Sequence, residues 1–264
     1  MLTLIGRSLG RIALLLTVLA LLLSGFQIAL VAIASSLADS NVFERLAGLA
    51  PLFVQQAFGP ALTSFGGMTA VGFFEPLIVM LVVEFAIYVA TEPAGDVESG
   101  LVDLVLARPM PRHRLMTRSL IVMTGAALVL PLTMSVSLWI GLWFLASPDV
   151  RWPEPRQIVL LMSHLSAVAW CFGGAALTAA AWARRRGAAQ ALVGVGAVAL
   201  YLMEVVGEAW SRAAWASRLS PFHRFHGAGI LTGQTEPARD LTTLLAIGAA
   251  AIGLAYWQFQ RRDL

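Results

Sequence analysis

The sequence contains no lysine and one cysteine, and it is poor in charge. Charged residues make up 12% of its 264 residues, whereas an ordinary soluble domain carries about 25%. Hydrophobic residues make up 58%, and the mean hydropathy is +0.78. Because so few polar side chains cannot cover a water-facing surface, we predict a membrane protein.

These absences exclude several kinds of site. All 18 basic residues are arginine, so the chain has no lysine for a phosphate-binding loop or a Schiff base. Cys171 alone excludes an intrachain disulfide and any site built on two thiolates. The His-Glu-x-x-His and Gly-x-Ser-x-Gly motifs are also missing. The sequence therefore argues against an enzyme, and we expect any ATP hydrolysis to come from another polypeptide.

Six apolar runs are long enough to cross a bilayer, which takes roughly 20 residues of helix. We predict an all-α membrane protein with spans at about 12–34, 68–90, 119–146, 158–183, 187–206 and 241–259. The first run is too long for the core of a signal peptide, and we expect it to remain as an anchor.

The arginines predict the orientation of these spans. Six spans place both termini on one side, and that side carries an excess of positive charge over the opposite side, where arginines and acidic residues balance. The side of the termini holds Arg7, Arg11, Arg108, Arg112, Arg114, Arg118, Arg184, Arg185, Arg186, Arg261 and Arg262. The positive-inside rule then predicts cytoplasmic termini. This bias also explains the basic pI without any nucleic acid.

The most highly charged connection, 91–118, lies on the predicted cytoplasmic side. Leu101, Leu104 and Val105 would form one apolar stripe on a short helix, which should end before Pro109. Such a helix is typical of a docking surface for a soluble partner. The alternative is an interfacial helix that only rests on the lipid headgroups.

Residues 98–112 resemble the cytoplasmic coupling segment of ABC-2 type transporter permeases, where a Glu, a Gly, a Leu-rich stretch, a Pro and an Arg follow the second of six spans. Ser220, Pro221 and Phe222 are similar to the Ser-Pro-Phe element that this family carries in an outer re-entrant or interfacial region between spans five and six. Length and span order agree with the family over residues 1–264, as a single permease domain.

The resemblance implies that the chain is the membrane-spanning subunit of an ATP-driven ABC exporter and that it lies in the bacterial inner membrane. Its partners would be two copies of an ATP-binding subunit, a second permease copy or paralogue, and the lipid bilayer, and the resemblance also allows a periplasmic accessory protein. ATP and Mg would be bound by the ATPase, with no cofactor on this chain. The implied ATPase-coupling residues are Glu92, Glu98, Gly100, Leu101, Asp103, Leu104, Val105, Arg108, Pro109 and Arg112.

Ionisable residues inside the bilayer are costly and indicate functional positions. The candidates for a translocation path are Glu75, Glu84 and Glu204, together with Tyr88, which we expect to share a helix face with Glu84 and Glu92. The alternative role for these groups is helix packing. A self-contained, proton-coupled secondary transporter using Glu84 or Glu75 is the alternative function, although the internal repeats typical of that class are not evident.

His223 and His226 lie three residues apart in the last outer connection. The pair is suited to a metal contact if that segment is helical, but the sequence places no third ligand nearby. We therefore expect no metal site.

Overall fold

The computed structural model describes residues 2–37, 64–100, 113–233 and 236–261, and in these residues helices joined by short connections form the fold and there is no strand. Six helices in this part of the chain are long and apolar enough to cross a membrane, which confirms the predicted fold class. The helices are α1 (Leu2–Leu37), α2 (Phe65–Ala70), α3 (Pro76–Ala90), α4 (Glu92–Glu98), α5 (His113–Leu145), α6 (Pro155–Trp182), α7 (Arg186–Ala209), α8 (Ala214–Ser217), α9 (Gly227–Thr232) and α10 (Pro237–Arg261).

The second span, predicted at 68–90, covers Phe65–Ala90 and is interrupted before Pro76. Helix α2 passes into a 3-10 turn, Val71–Phe73, and α3 begins only at Pro76. Proline lacks a backbone N–H and is therefore suited to the first turn of a helix. The Glu75 carboxylate accepts a hydrogen bond from the Ile78 N–H at 3.0 Å, so this residue caps α3.

Helix α6 forms the centre of the bundle and packs against α3, α5, α7 and α10. Gly174 brings α6 close to α10, since a Cβ atom there would lie 2.9 Å from the Gly248 carbonyl oxygen. The Thr178 hydroxyl, one turn further, donates to the Ala251 carbonyl at 2.7 Å. Small residues and hydrogen bonds from threonine are the usual means of close helix approach in membranes.

Helix α1 packs mainly against α5 and α2 and has few buried residues. Gln27 is fully buried and donates a hydrogen bond to the Thr69 carbonyl of α2 at 2.6 Å. A polar side chain in an apolar interior is tolerated when it is hydrogen-bonded. The contact therefore fixes the rotation of α1 against the interrupted second span.

The start of α1, the start of α5 and the end of α10 lie at the same end of the bundle. Arg11 reaches Asp96 at 3.3 Å, and the Tyr256 hydroxyl of α10 donates to the Thr117 hydroxyl of α5 at 2.8 Å. We call this the arginine-rich end. The connection 146–154 and residues 210–233 lie at the opposite end.

We predict that Gly174→Ala destabilises the protein while Gly253→Ala does not. Both changes add one methyl group to a helical glycine, but the space around Gly253 is open for 4 Å. Crowding a packed interior costs about 1–3 kcal/mol, whereas alanine alone favours a helix. The melting temperature in detergent should fall for Gly174→Ala only. Equal values for the two variants would contradict the close approach of α6 and α10.

Candidate functional site

Four charged side chains meet at the arginine-rich end and form what we call the charged cluster: Arg11, Glu92, Asp96 and Arg118. Arg118 Nη2 lies 2.7 Å from Asp96 Oδ2 and 3.4 Å from Glu92 Oε2. Arg11 Nη1 lies 3.2 Å from Glu92 Oε1 and 3.3 Å from Asp96 Oδ1. The two arginines and two carboxylates balance in charge and join α4 to α1 and α5, with Arg118 buried and the Arg11 side chain 42% exposed.

Burial makes the charged cluster sensitive to any missing partner. Glu92, Asp96 and Arg118 are each at most 4% exposed, and the Ser8 hydroxyl of α1 donates to Glu92 Oε1 at 3.0 Å. Desolvating such charges costs several kcal/mol per ion and is offset only by close pairing and hydrogen bonds. The cluster therefore requires one relative position of α1, α4 and α5.

Helix α7 holds α4 from the other side through Arg186. The backbone N–H of Arg186 donates to Glu98 Oε2 of α4 at 2.9 Å, and the guanidinium of Arg186 donates to the Tyr88 carbonyl of α3 at 2.8 Å. The guanidinium also lies over the Tyr88 ring, 4.3 Å from the centroid, a cation–π contact. Gly95 leaves room for this side chain, since a Cβ there would lie 3.1 Å from Arg186 Cδ. Helix α4 is thus enclosed by spans on both sides.

The sequence did not predict α4, although Pro93 within its first turn is a signal for a helix start. The helix ends at Glu98, and Gly100, two residues later, has a φ of +68°, in the left-handed region that favours glycine. Of the predicted coupling residues, Glu92 and Glu98 lie in this helix and Gly100 follows it. The others lie outside the described residues: Leu101, Asp103, Leu104, Val105, Arg108, Pro109 and Arg112.

Glu84, Tyr88 and Glu92 do not share one helix face, so that prediction is wrong. Helix α3 ends at Ala90, and α4 starts afresh at Glu92, whose carboxylate faces α1 and α5. Glu84 and Tyr88 instead face α7. A Cβ at Gly194 would lie 3.0 Å from both carboxylate oxygens of Glu84, so this glycine makes the space that the carboxylate occupies.

Ser220, Pro221 and Phe222 lie in the structured connection between α7 and α10. The Ser220 hydroxyl accepts from the Phe222 N–H at 3.2 Å and caps a 3-10 turn, Pro221–Arg224. Phe222 is buried between Phe172 of α6 and Tyr201 of α7, with ring centroids 4.9 and 5.4 Å away. The Ser-Pro-Phe element therefore anchors this connection in the bundle.

Glu204, near the end of α7, lies beside His223 and His226. His223 Nδ1 is 2.9 Å from Glu204 Oε1, and His226 Nε2 is 3.7 Å from the same oxygen. The expectation that no third ligand lies nearby is therefore wrong, because the fold brings together residues 19 positions apart. Burial, with a contribution from His223, lowers the pKa of His226, which favours the neutral imidazole.

The fold and these two sites define a polytopic helical membrane protein with a charged cluster at one end and a histidine–carboxylate group at the other. Residues 61–260 match the family described as "Multidrug efflux system permease Rv1217c, C-terminal domain". The chain belongs to this permease family. No curated protein matches the chain in a sequence comparison.

We predict that Arg118→Gln strongly destabilises the protein, because it leaves Glu92 and Asp96 with an excess negative charge. Breaking a buried ion pair by removing one partner costs about 3–5 kcal/mol. The double variant Arg118→Gln/Asp96→Asn should recover part of this loss, since it restores the charge balance. Melting temperatures in detergent measure both effects.

The matched control for this prediction is Arg114→Gln, which removes an exposed arginine one turn earlier on α5. It should leave the melting temperature nearly unchanged. If the double variant is less stable than Arg118→Gln, charge balance does not govern the cluster.

Proposed function

We propose that the chain is the membrane-spanning subunit of an ATP-driven ABC exporter. It forms a single permease domain over residues 1–264, lies in the bacterial inner membrane with both termini in the cytoplasm, and works as a dimer with itself or a paralogue. ATP and Mg bind to two separate ATP-binding subunits. The match to a multidrug efflux permease family supports drugs as cargo, and a periplasmic accessory protein is compatible with this assembly.

The charged cluster is the observation that carries this proposal. It ties α4 to α1 and α5 at the end of the bundle that we assign to the cytoplasm, and the Arg186 N–H of α7 donates a hydrogen bond to Glu98 of the same short helix. The next residues, 101–112, carry the motif that resembles the coupling segment of ABC-2 permeases. A force applied by an ATPase to that segment would therefore reach four spans through buried ion pairs and hydrogen bonds.

The proposed coupling is mechanical. Closure of the two ATPase subunits on ATP displaces residues 101–112. Helix α4 then moves as a rigid unit, because Glu92 and Asp96 are ion-paired and Glu98 accepts a hydrogen bond from the Arg186 N–H. The spans attached to it then change their relative positions, which is a rigid-body transition between inward-facing and outward-facing states.

Glu84 and Tyr88 are the candidates that we retain for the translocation path. Both are half-buried side chains on the face of α3 that meets α7, and a carboxylate at bilayer depth is a functional position by default. The Glu75 carboxylate instead caps α3, and Glu204 lies with His223 and His226 at the end of the bundle. We therefore propose no role in the path for these two residues.

We predict that Leu104→Asp abolishes association with the ATPase and leaves membrane insertion intact, because a charge replaces the apolar stripe of the proposed docking helix. The measurement is co-purification of a Walker-motif ATPase with the tagged permease from its native host in mild detergent. Wild type should yield the two proteins in about equal amounts, in line with the assembly proposed here, and Leu104→Asp should yield the permease alone.

Leu219→Asp is the matched control, because Leu219 is 69% exposed in the connection at the opposite end. It introduces the same charge away from the proposed docking segment and should retain the ATPase. A permease that purifies alone as wild type in several detergents, or a Leu104→Asp variant that keeps its ATPase, would overturn the proposal.

We also predict that ATP drives transport of a lipophilic fluorescent dye into inverted vesicles after a protonophore has collapsed the proton gradient. Glu84→Gln should slow this transport without abolishing it, since the carboxylate lines the path in our proposal but carries no obligatory proton. Transport that needs a proton gradient, ignores ATP and stops in Glu84→Gln would instead identify the proton-coupled alternative.

A further inference from the structure

Three potential metal ligands converge at the end of the bundle opposite the charged cluster. One ligand atom each from Glu204, His223 and His226 lies within 4.8 Å of the other two. The two imidazole rings are nearly perpendicular, at 81°, with their centroids 5.0 Å apart. The three side chains come from two separate parts of the fold, the end of α7 and the connection that leads to α10.

We infer that Glu204, His223 and His226 form a binding site for a divalent transition-metal ion of the zinc class. Two imidazoles and one glutamate are a recognised ligand set for zinc, with bond lengths of about 2.0–2.2 Å. Tetrahedral geometry at these lengths places ligand atoms about 3.3 Å apart. The observed separations of 2.9 and 3.7 Å from Glu204 Oε1 to the two histidine nitrogens lie on either side of that value.

The choice of metal follows from the ligand chemistry. Magnesium and calcium prefer sites built from oxygen atoms, whereas imidazole suits zinc, copper, iron and nickel. One carboxylate with two imidazoles therefore favours the second group. Zinc tolerates a site with three protein ligands and one open position, which water fills in such sites.

The surrounding fold holds the ligands in place. The buried Phe222 fixes the backbone immediately before His223. Gly227, immediately after His226, packs so closely against Phe74 that a Cβ atom would overlap the ring. Both histidines therefore extend from backbone that is packed against the bundle, which favours a preorganised site.

The solvent exposure of the three side chains also allows an ion to bind. Glu204 is 6% exposed, whereas the side chains of His223 and His226 are 29% and 35% exposed, so an ion can reach the site from solvent. The neighbouring Arg224 lies 3.2 Å from Asp240, and this pairing offsets a positive charge that would otherwise repel a cation.

A bound ion would join α7 to the connection before α10 by coordinate bonds. This connection contains the Ser-Pro-Phe element and crosses the opposite end of the bundle between spans five and six. The ion would therefore restrict the relative movement of these two spans. This inference concerns the three ligands alone and stands whether or not an ATPase drives the permease.

The test is direct metal binding by the full chain, purified in detergent with an affinity tag that contains no histidine, and stripped with EDTA. Zn²⁺ is titrated and the bound metal is counted, and Co²⁺ reports geometry through its visible absorption. We expect one Zn²⁺ per chain, an absorption band typical of tetrahedral Co²⁺ that Zn²⁺ displaces, and a higher melting temperature with Zn²⁺.

His226→Gln is the decisive variant, because it removes one ligand and leaves the 2.9 Å contact between His223 and Glu204. It should weaken Zn²⁺ binding by at least about tenfold and remove the Zn²⁺-dependent rise in melting temperature. His113→Gln, an exposed histidine at the start of α5, is the control and should bind like wild type.

Wild type that binds no Zn²⁺ above the level of His226→Gln would overturn the site, and so would Co²⁺ that stays octahedral. If His226→Gln does not fold, wild-type stoichiometry and the Co²⁺ spectrum still decide the question. If the melting temperature does not change with Zn²⁺ although the His223–Glu204 contact is intact, the three residues form a packing interaction only.

Discussion

The structure depends on an ionic group in which two carboxylates and one arginine are buried and a second, partly exposed arginine balances the charge. Arg118 holds Asp96 at 2.7 Å and Glu92 at 3.4 Å in an environment where none of the three is more than 4% exposed, and Arg11 supplies the second positive charge. Apolar side chains can slide past one another at small cost, whereas buried charges cannot separate without being resolvated. Helix α4 therefore has one position relative to the first, second and third spans.

The same physical reasoning explains why a seven-residue helix matters in a bundle of long ones. Isolated helices of this length are not stable in water, so α4 exists because its neighbours pair its charges and because Arg186 occupies the space left by Gly95. Helix α4 therefore either moves together with the helices that pair its charges or loses this pairing, unlike a flexible linker.

Hydropathy predicted the six spans, and the charged residues after the second span predicted a polar connection there. Both predictions succeeded because span and connection depend on local composition. The break between α3 and α4 was missed because the residues around Thr91 continue a helical face in sequence, and only their partners on α1 and α5 separate Glu92 from Glu84. The Glu75-Pro76 pair did carry a local signal, a cap followed by proline. The group of Glu204, His223 and His226 carried no local sequence signal, because these residues meet only after α7 ends and the chain turns back.

The two ends of the bundle use polar chemistry differently. At the arginine-rich end, two buried carboxylates pair with the buried Arg118 and the partly exposed Arg11, so the charges balance within the chain. At the opposite end, a buried carboxylate faces two partly exposed imidazoles. Imidazole nitrogens together with a carboxylate oxygen suit a transition-metal ion. The first arrangement is complete within the chain, whereas the second has the ligands to bind an ion from outside it.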